Sequence, residues 1–247
     1  MSTYYEALKR AKAERGDEPR GRQVWTAPVA RGTRMSPPVG YQRIRAWLTN
    51  RAVRGERIQT MMVVSCRAGT GSTTTASLLA AALAEGKQWR VLIIDANLRM
   101  PSLNTVFNVR NRGGVTAVVG RGLPYEAQIE ATSRENLFVL TSGQLFEGSA
   151  QLFEGKAFDD LLTQLREKFD FIIFDGAPVM EFPDAYLLAP RLDGVILVLE
   201  ADRTSVEEAQ RATHNLAQAG AQILGVVLNR QKVLRPSFLK RFLGASS

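Results

Sequence analysis

Met61-Met62-Val63-Val64-Ser65-Cys66-Arg67-Ala68-Gly69-Thr70-Gly71-Ser72-Thr73-Thr74-Thr75-Ala76-Ser77-Leu78-Leu79 is the stretch whose reading decides the fold. It predicts a buried strand, a glycine turn and the start of a helix, the arrangement in which backbone N–H groups and a helix N-terminus converge on phosphate. Phosphate-binding loops of this kind end Gly-Lys-Ser/Thr, the lysine reaching the terminal phosphates and the hydroxyl holding magnesium. Here the ending is Gly71-Ser72-Thr73. The scaffold of a nucleotide site is present without its principal cation.

Outward from the loop, continuous apolar runs predict strands at 60–65, 90–95, 136–141, 170–175, 194–199 and 222–228. Runs without polar alternation suit parallel strands covered on both faces. Helical segments near 73–86, 156–168, 183–190 and 204–219 separate them, so the alternation is β-α-β. The fold class expected is α/β: a doubly wound, mainly parallel sheet in three α/β/α layers. Ligands of such sheets sit at the carboxyl ends of strands, and two of those ends carry Asp95 and Asp175.

The chain has 247 residues, 45% hydrophobic, enough for one globular domain. No apolar run is long enough for a membrane-spanning helix, and residues 1–6 lack the apolar core of a signal peptide, so a cytoplasmic protein is expected. Cys66 is the only cysteine, which excludes an internal disulfide and suits a buried strand-end role. The net charge of +8 is located in one place: residues 1–57 hold 13 Lys and Arg against 5 Asp and Glu, and the remainder is balanced. The expected division is a basic arm over 1–38, with an amphipathic helix at 3–15 and a flexible linker at 17–38, then a domain over 39–232 opening with a helix at 40–50, and a basic tail at 233–247. His214, the one histidine, reads as a solvated helix residue, and Trp25, Trp47 and Trp89 as packing groups.

Three stretches match one family: the loop already quoted, Val91-Leu92-Ile93-Ile94-Asp95-Ala96-Asn97-Leu98-Arg99-Met100-Pro101-Ser102-Leu103, and Phe171-Ile172-Ile173-Phe174-Asp175-Gly176-Ala177-Pro178-Val179 with Asp184-Ala185 after it; Gly225-Val226-Val227-Leu228-Asn229-Arg230 closes the set. Over about residues 40–230 the chain resembles the cytoplasmic domain of bacterial protein-tyrosine kinases that govern capsule and exopolysaccharide synthesis, within the septum-positioning and chromosome-partitioning P-loop ATPases. The resemblance implies a P-loop NTPase fold and a site for ATP or ADP with Mg2+. It implies nucleotide contacts from Arg67, Ala68, Gly69, Thr70, Gly71, Ser72, Thr73, Thr74, Asn229 and Arg230, with Asn229 on the base. It implies metal contacts from Thr73, Asp95 and Asp175, and a catalytic role for Asp95 and Asp175, the former helping to activate a tyrosine hydroxyl.

Departures from that pattern carry as much meaning. Ser72 replaces the lysine, and losing one preorganised donor at a transferring group costs roughly two to three decades in rate. Asn97 replaces a second acid, and Val39, Gln42 and Arg45 stand where the family has Glu-x-x-Arg-x-x-Arg for ring formation. No tyrosine follows Tyr186, where the family has a tyrosine-rich tail. Arg67 aligns with the extra lysine of partition-type ATPases and is the one candidate replacement cation, against a solvated loop arginine.

The expectation is a kinase-like regulatory protein with lost or weak phosphotransfer and weak or absent nucleotide binding. By resemblance, its N-terminal helix would dock on a membrane-embedded polysaccharide co-polymerase or chain-length regulator, placing it peripherally at the inner membrane, with homo-oligomers as a further option. The alternatives are an active tyrosine autokinase, with Tyr4 or Tyr5 as acceptor, and a partition-type ATPase bound to DNA through the basic arm. The balanced charge of the core disfavours nucleic acid.

Overall fold

A computed structural model describes residues 23–27, 37–56, 58–144 and 149–231. The helix expected over 3–15, the tail at 233–247 and Tyr4 and Tyr5 lie outside these residues. Eight strands form one sheet in the order β1-β8-β7-β2-β6-β3-β5-β4. They are β1 (Gln23–Ala27), β2 (Thr60–Ser65), β3 (Val91–Asp95), β4 (Ile129–Ala131), β5 (Leu137–Leu140), β6 (Phe171–Asp175), β7 (Gly194–Glu200) and β8 (Ile223–Asn229). All neighbours are parallel except β4, which runs antiparallel to β5 at the edge.

The helices are α1 (Val39–Val53), α2 (Ser72–Ala84), α3 (Leu103–Phe107), α4 (Gly114–Arg121), α5 (Lys156–Lys168), α6 (Asp184–Leu188) and α7 (Val206–Gln218). Successive residues of a strand point to opposite faces, and the interiors of the central strands, 61–64, 91–94, 171–174 and 195–199, are apolar at every position because both faces are covered. Met61, Val63, Val91, Ile93, Ile173 and Val198 meet α1, α2 and α3 on one side. Met62, Val64, Leu92, Ile94, Phe174 and Leu197 meet α4 to α7 on the other. The expected three-layer α/β/α architecture follows directly from that burial.

α1 buries Tyr41, Ile44 and Leu48, one helical stripe. α2 is buried almost all round because it lies between the sheet and α1, and its alanines at 76, 80, 81, 82 and 84 let both neighbours approach closely. The ring-motif positions lie on α1: Val39 is exposed, Gln42 hydrogen-bonds Glu85 of its own chain, and an Arg45 guanidinium nitrogen donates to Gln42 Oε1 at 3.5 Å.

Three features differ from the sequence reading. Residues 23–27, placed there in a flexible linker, form β1, which pairs with β8 from Gln23↔Gly225 to Ala27↔Asn229. Gln-Val-Trp-Thr-Ala is a short β-rich run between Gly21 and Pro28, and turn residues on both flanks hid it. Residues 96–135, given no element, contain α3, α4 and β4, of 5, 8 and 3 residues, too short to show a period. The helix expected at 183–190 ends at Leu188 and tightens into a 3-10 turn over Ala189–Arg191, as Pro190 dictates.

Candidate functional site: the loop after β2

The chain leaves β2 at Ser65 and enters α2 at Ser72 through a loop bent by Gly69 (φ +76°) and Gly71 (φ +97°), both in the left-handed region. The Arg67 carbonyl accepts hydroxyl hydrogen bonds from Ser65 and Thr70, each at 2.8 Å. From β8, Asn229 Nδ2 donates to the Thr70 carbonyl at 2.8 Å. A Cβ on Gly71 would lie 2.3 Å from that same Nδ2, so glycine is required there by space as well as by conformation. The structure thus places Asn229 against the loop's backbone, with its Oδ1 accepting from the Arg230 N–H. Arg230 itself reaches Glu200 at 3.0 Å on the exposed rim.

At the lysine position, Ser72 is buried and its hydroxyl faces Ser65 Oγ at 3.4 Å. It brings no charge. Arg67 does not fill the gap: its guanidinium is ion-paired with Glu208 of α7, and the carboxylate holds the arginine pKa above its ordinary value. Ala68 N–H donates to Glu181 Oε1 at 2.8 Å. Glu181 and Glu208 are site residues that the sequence did not reveal. Glu208 is the fourth residue of a Ser-x-x-Glu helix start and forms a capping box with Ser205.

Asp95 and Asp175 are opposite partners at the ends of β3 and β6. Asp95 Oδ2 accepts the Ser102 and Leu103 N–H groups at 2.9 and 3.0 Å, and its Oδ1 is buried without a partner. Both carboxyl oxygens of Asp175 are buried without a hydrogen bond. Burial pushes the Asp95 pKa up to about 6 against the pull of the Leu103, Ser102 and Asn97 amides. Burial, then the neighbouring Asp95 charge, pushes Asp175 up to about 8 against the pull of the nearby Thr73 hydroxyl. Asp184, at the head of α6, is a third buried carboxylate, 3.5 Å from Arg99.

Orphaned buried carboxyl oxygens are costly unless a proton or cation meets them. Two facing aspartates and a helix-start hydroxyl are donors of the kind that magnesium takes when it keeps most of its waters and borrows phosphate oxygens. The residues present therefore fit a hydrated divalent cation beside a nucleotide. No group of three or more His, Cys, Asp or Glu at metal-binding spacing occurs among the described residues, so the protein alone forms no closed cage. Cys66 is buried at the loop's entry and its thiol is pushed up to about 12, first by burial, which makes it inert. His214 is exposed on α7, as expected.

The sequence and the fold have counterparts in known proteins. A ParA family model, described as NUBPL iron-transfer P-loop NTPase, matches residues 57–241. The chain is 34% identical over 182 residues to tyrosine-protein kinase YwqD of Bacillus subtilis, covering 73% of this chain and 76% of that one. It is 32% identical over 186 residues to tyrosine-protein kinase CpsD of Streptococcus pneumoniae, covering 75% and 82%. The crystal structure of the chimerical protein CapA2B2 superposes with a TM-score of 0.79 at 25% identity, over 91% of this chain and 99% of that one. With the fold, the loop and these likenesses in agreement, the chain belongs to the bacterial tyrosine-protein kinases, a family of ParA-type P-loop NTPases.

Proposed function

We propose that this protein is a kinase-like regulatory subunit of bacterial surface-polysaccharide assembly, which keeps the loop of a phosphate cradle and transfers phosphate weakly or not at all. One observation carries the reading: the loop's lysine position is the uncharged Ser72, facing Ser65, while the nearest alternative cation, Arg67, is neutralised by Glu208. Phosphoryl transfer is positioning plus charge neutralisation. Positioning survives in the glycine loop, the N-terminus of α2 and the Asp95–Asp175 pair. Neutralisation from the protein side does not.

When bound, magnesium would supply the charge that draws phosphate oxygens together. Thr73, Asp95 and Asp175 would hold it or its waters, and the amides of residues 68–73 would orient the phosphates. Asn229 keeps the loop in shape through Thr70 O. The polysaccharide role and the membrane co-polymerase partner rest on the family resemblance. Among the described residues no helix is long and apolar enough to cross a membrane. The balanced charge of residues 58–247 supports a protein partner over DNA.

Calorimetric titration of Mg-ATP and Mg-ADP into the native chain and into Ser72→Lys tests the site. Tighter binding by Ser72→Lys, with no label transferred from ATP by the native chain, is expected. Label incorporation by the native chain that Asp175→Asn abolishes would establish an active autokinase instead. For the partner, deletion of residues 1–16 should release the protein from membranes in cells, and unchanged recruitment would remove the docking role of the arm.

A further inference from the structure

Adjacent residues of the loop are each held by a carboxylate from a different element. Ala68 N–H donates to Glu181 Oε1 at 2.8 Å, and Arg67 is bound by Glu208. Glu181 is not a side chain that happens to reach the loop. The segment after β6 is tied alongside it by two backbone hydrogen bonds, Val179 N to Ser65 O at 2.9 Å and Met180 N to Cys66 O at 3.1 Å. A turn closed by Glu181 N and Phe182 N on Pro178 O, at 3.2 and 3.1 Å, then sets Glu181 opposite Ala68. Gly176, earlier in the segment, sits so close under β2 that a Cβ would meet Val64 at 2.6 Å and Met62 at 2.8 Å, which fixes where the segment starts. On the other flank Glu208 is oriented by its own helix: its second oxygen accepts the Ser205 N–H at 3.3 Å, leaving Oε1 for Arg67.

Donors of a phosphate-binding loop hold anionic oxygens, and a carboxylate oxygen is chemically the nearest substitute within a protein. Any anion approaching this loop meets one amide already engaged and the loop's single cation already paired. Glu181 is displaceable, since it is exposed, whereas Glu208 is only 12% exposed and it is the Arg67 side chain, 66% exposed, that is free to leave the pair.

We propose that Glu181 is an internal competitor for the phosphate cradle, assisted by Glu208, which withholds Arg67, so that a nucleotide binds only by ejecting Glu181 and freeing the turn at 178–182. This rests on the reading that the loop retains affinity for nucleotide phosphates. It makes Glu181 a residue that sets the strength of that affinity and couples occupancy to the chain leaving β6, the strand that ends in Asp175.

Fluorescent ADP and ATP analogues with Mg2+ would be titrated against the native chain, Glu181→Gln, Ser72→Lys and the Ser72→Lys/Glu181→Gln double variant. Glu181→Gln keeps the side chain's shape and removes its charge at an exposed position, and equal melting temperatures check that folding is intact. About tenfold tighter binding on removing the charge, in both backgrounds, is expected. Glu208→Gln, which preserves the cap because glutamine serves at that position, should strengthen binding by a smaller factor. Equal or weaker affinity of Glu181→Gln in a background that binds nucleotide overturns the competitor role and leaves the nucleotide site standing. Absence of binding by all four proteins, Ser72→Lys included, overturns the nucleotide reading and this proposal with it.

Discussion

Asp175 and Asp95 are the residues on which the site's electrostatics turn. Both carry pKa values raised above the unfolded carboxylate value of about 3.9, to about 8 and about 6. A raised folded-state pKa means that the stability linked to the group is complete below the unfolded value and is lost as pH climbs through the folded one. Melting temperature is therefore expected to fall between about pH 4 and about pH 8 from this pair, and Asp175→Asn should flatten the fall and raise the alkaline melting point. Added Mg2+ should stabilise the native chain more at the alkaline end, where both carboxylates are ionised, and this gain should shrink in Asp175→Asn. At this scale Asp95, Asp175, Thr73 and the glycines were legible in the sequence, because each stands at a fixed step from a strand end. Glu181 and Glu208 were not. They meet the loop from 113 and 141 residues away, through the path of a turn and the face of a helix that no local pattern encodes.

At the scale of elements, the central strands and α5 lie where the apolar runs put them, since a strand buried on both faces is apolar along its whole interior. α7 begins with a signal that is equally local: Ser205 accepts the Glu208 N–H while Glu208 returns to the Ser205 N–H. Ser205→Ala should cost about 1 kcal/mol in chemical denaturation, the usual worth of an N-cap. It should also loosen Glu208, so that the loss appears together with a changed environment at Arg67. The missed elements share one cause. β1, β4, α3 and α4 are short or edge segments whose form is imposed by neighbours, as when Val115 and Thr116 at the head of α4 donate to the Thr141 and Ser142 carbonyls after β5.

Across the whole molecule, the end of the sheet opposite the loop is clasped by one half-buried group. Asp193, before β7, accepts the Gln59 and Thr60 N–H groups at 2.9 and 2.8 Å and pairs with Arg166 of α5 at 2.8 Å. Burial raises its pKa, but Arg166 and the two amides outweigh burial and leave it below the ordinary carboxylate value. The sign here is opposite to that at Asp175: this stability is present above about pH 4 and is lost as pH falls through the lowered folded value. The two ends together give a stability maximum in the mildly acidic range, and Asp193→Asn should lower the melting temperature at neutral pH, with an effect that shrinks as pH falls through the lowered folded value. The order of layers was legible because covered parallel strands demand helices on both faces; the edge supplied by β1 was not, since its flanks read as linker. That edge has a mechanical meaning. β1 is the first described segment of the basic arm, and its last residue, Ala27, lies beside Asn229, whose amide grips the loop. A pull on the arm would load β1 in shear along β8 and arrive, one strand later, at the residue that holds the cradle's shape.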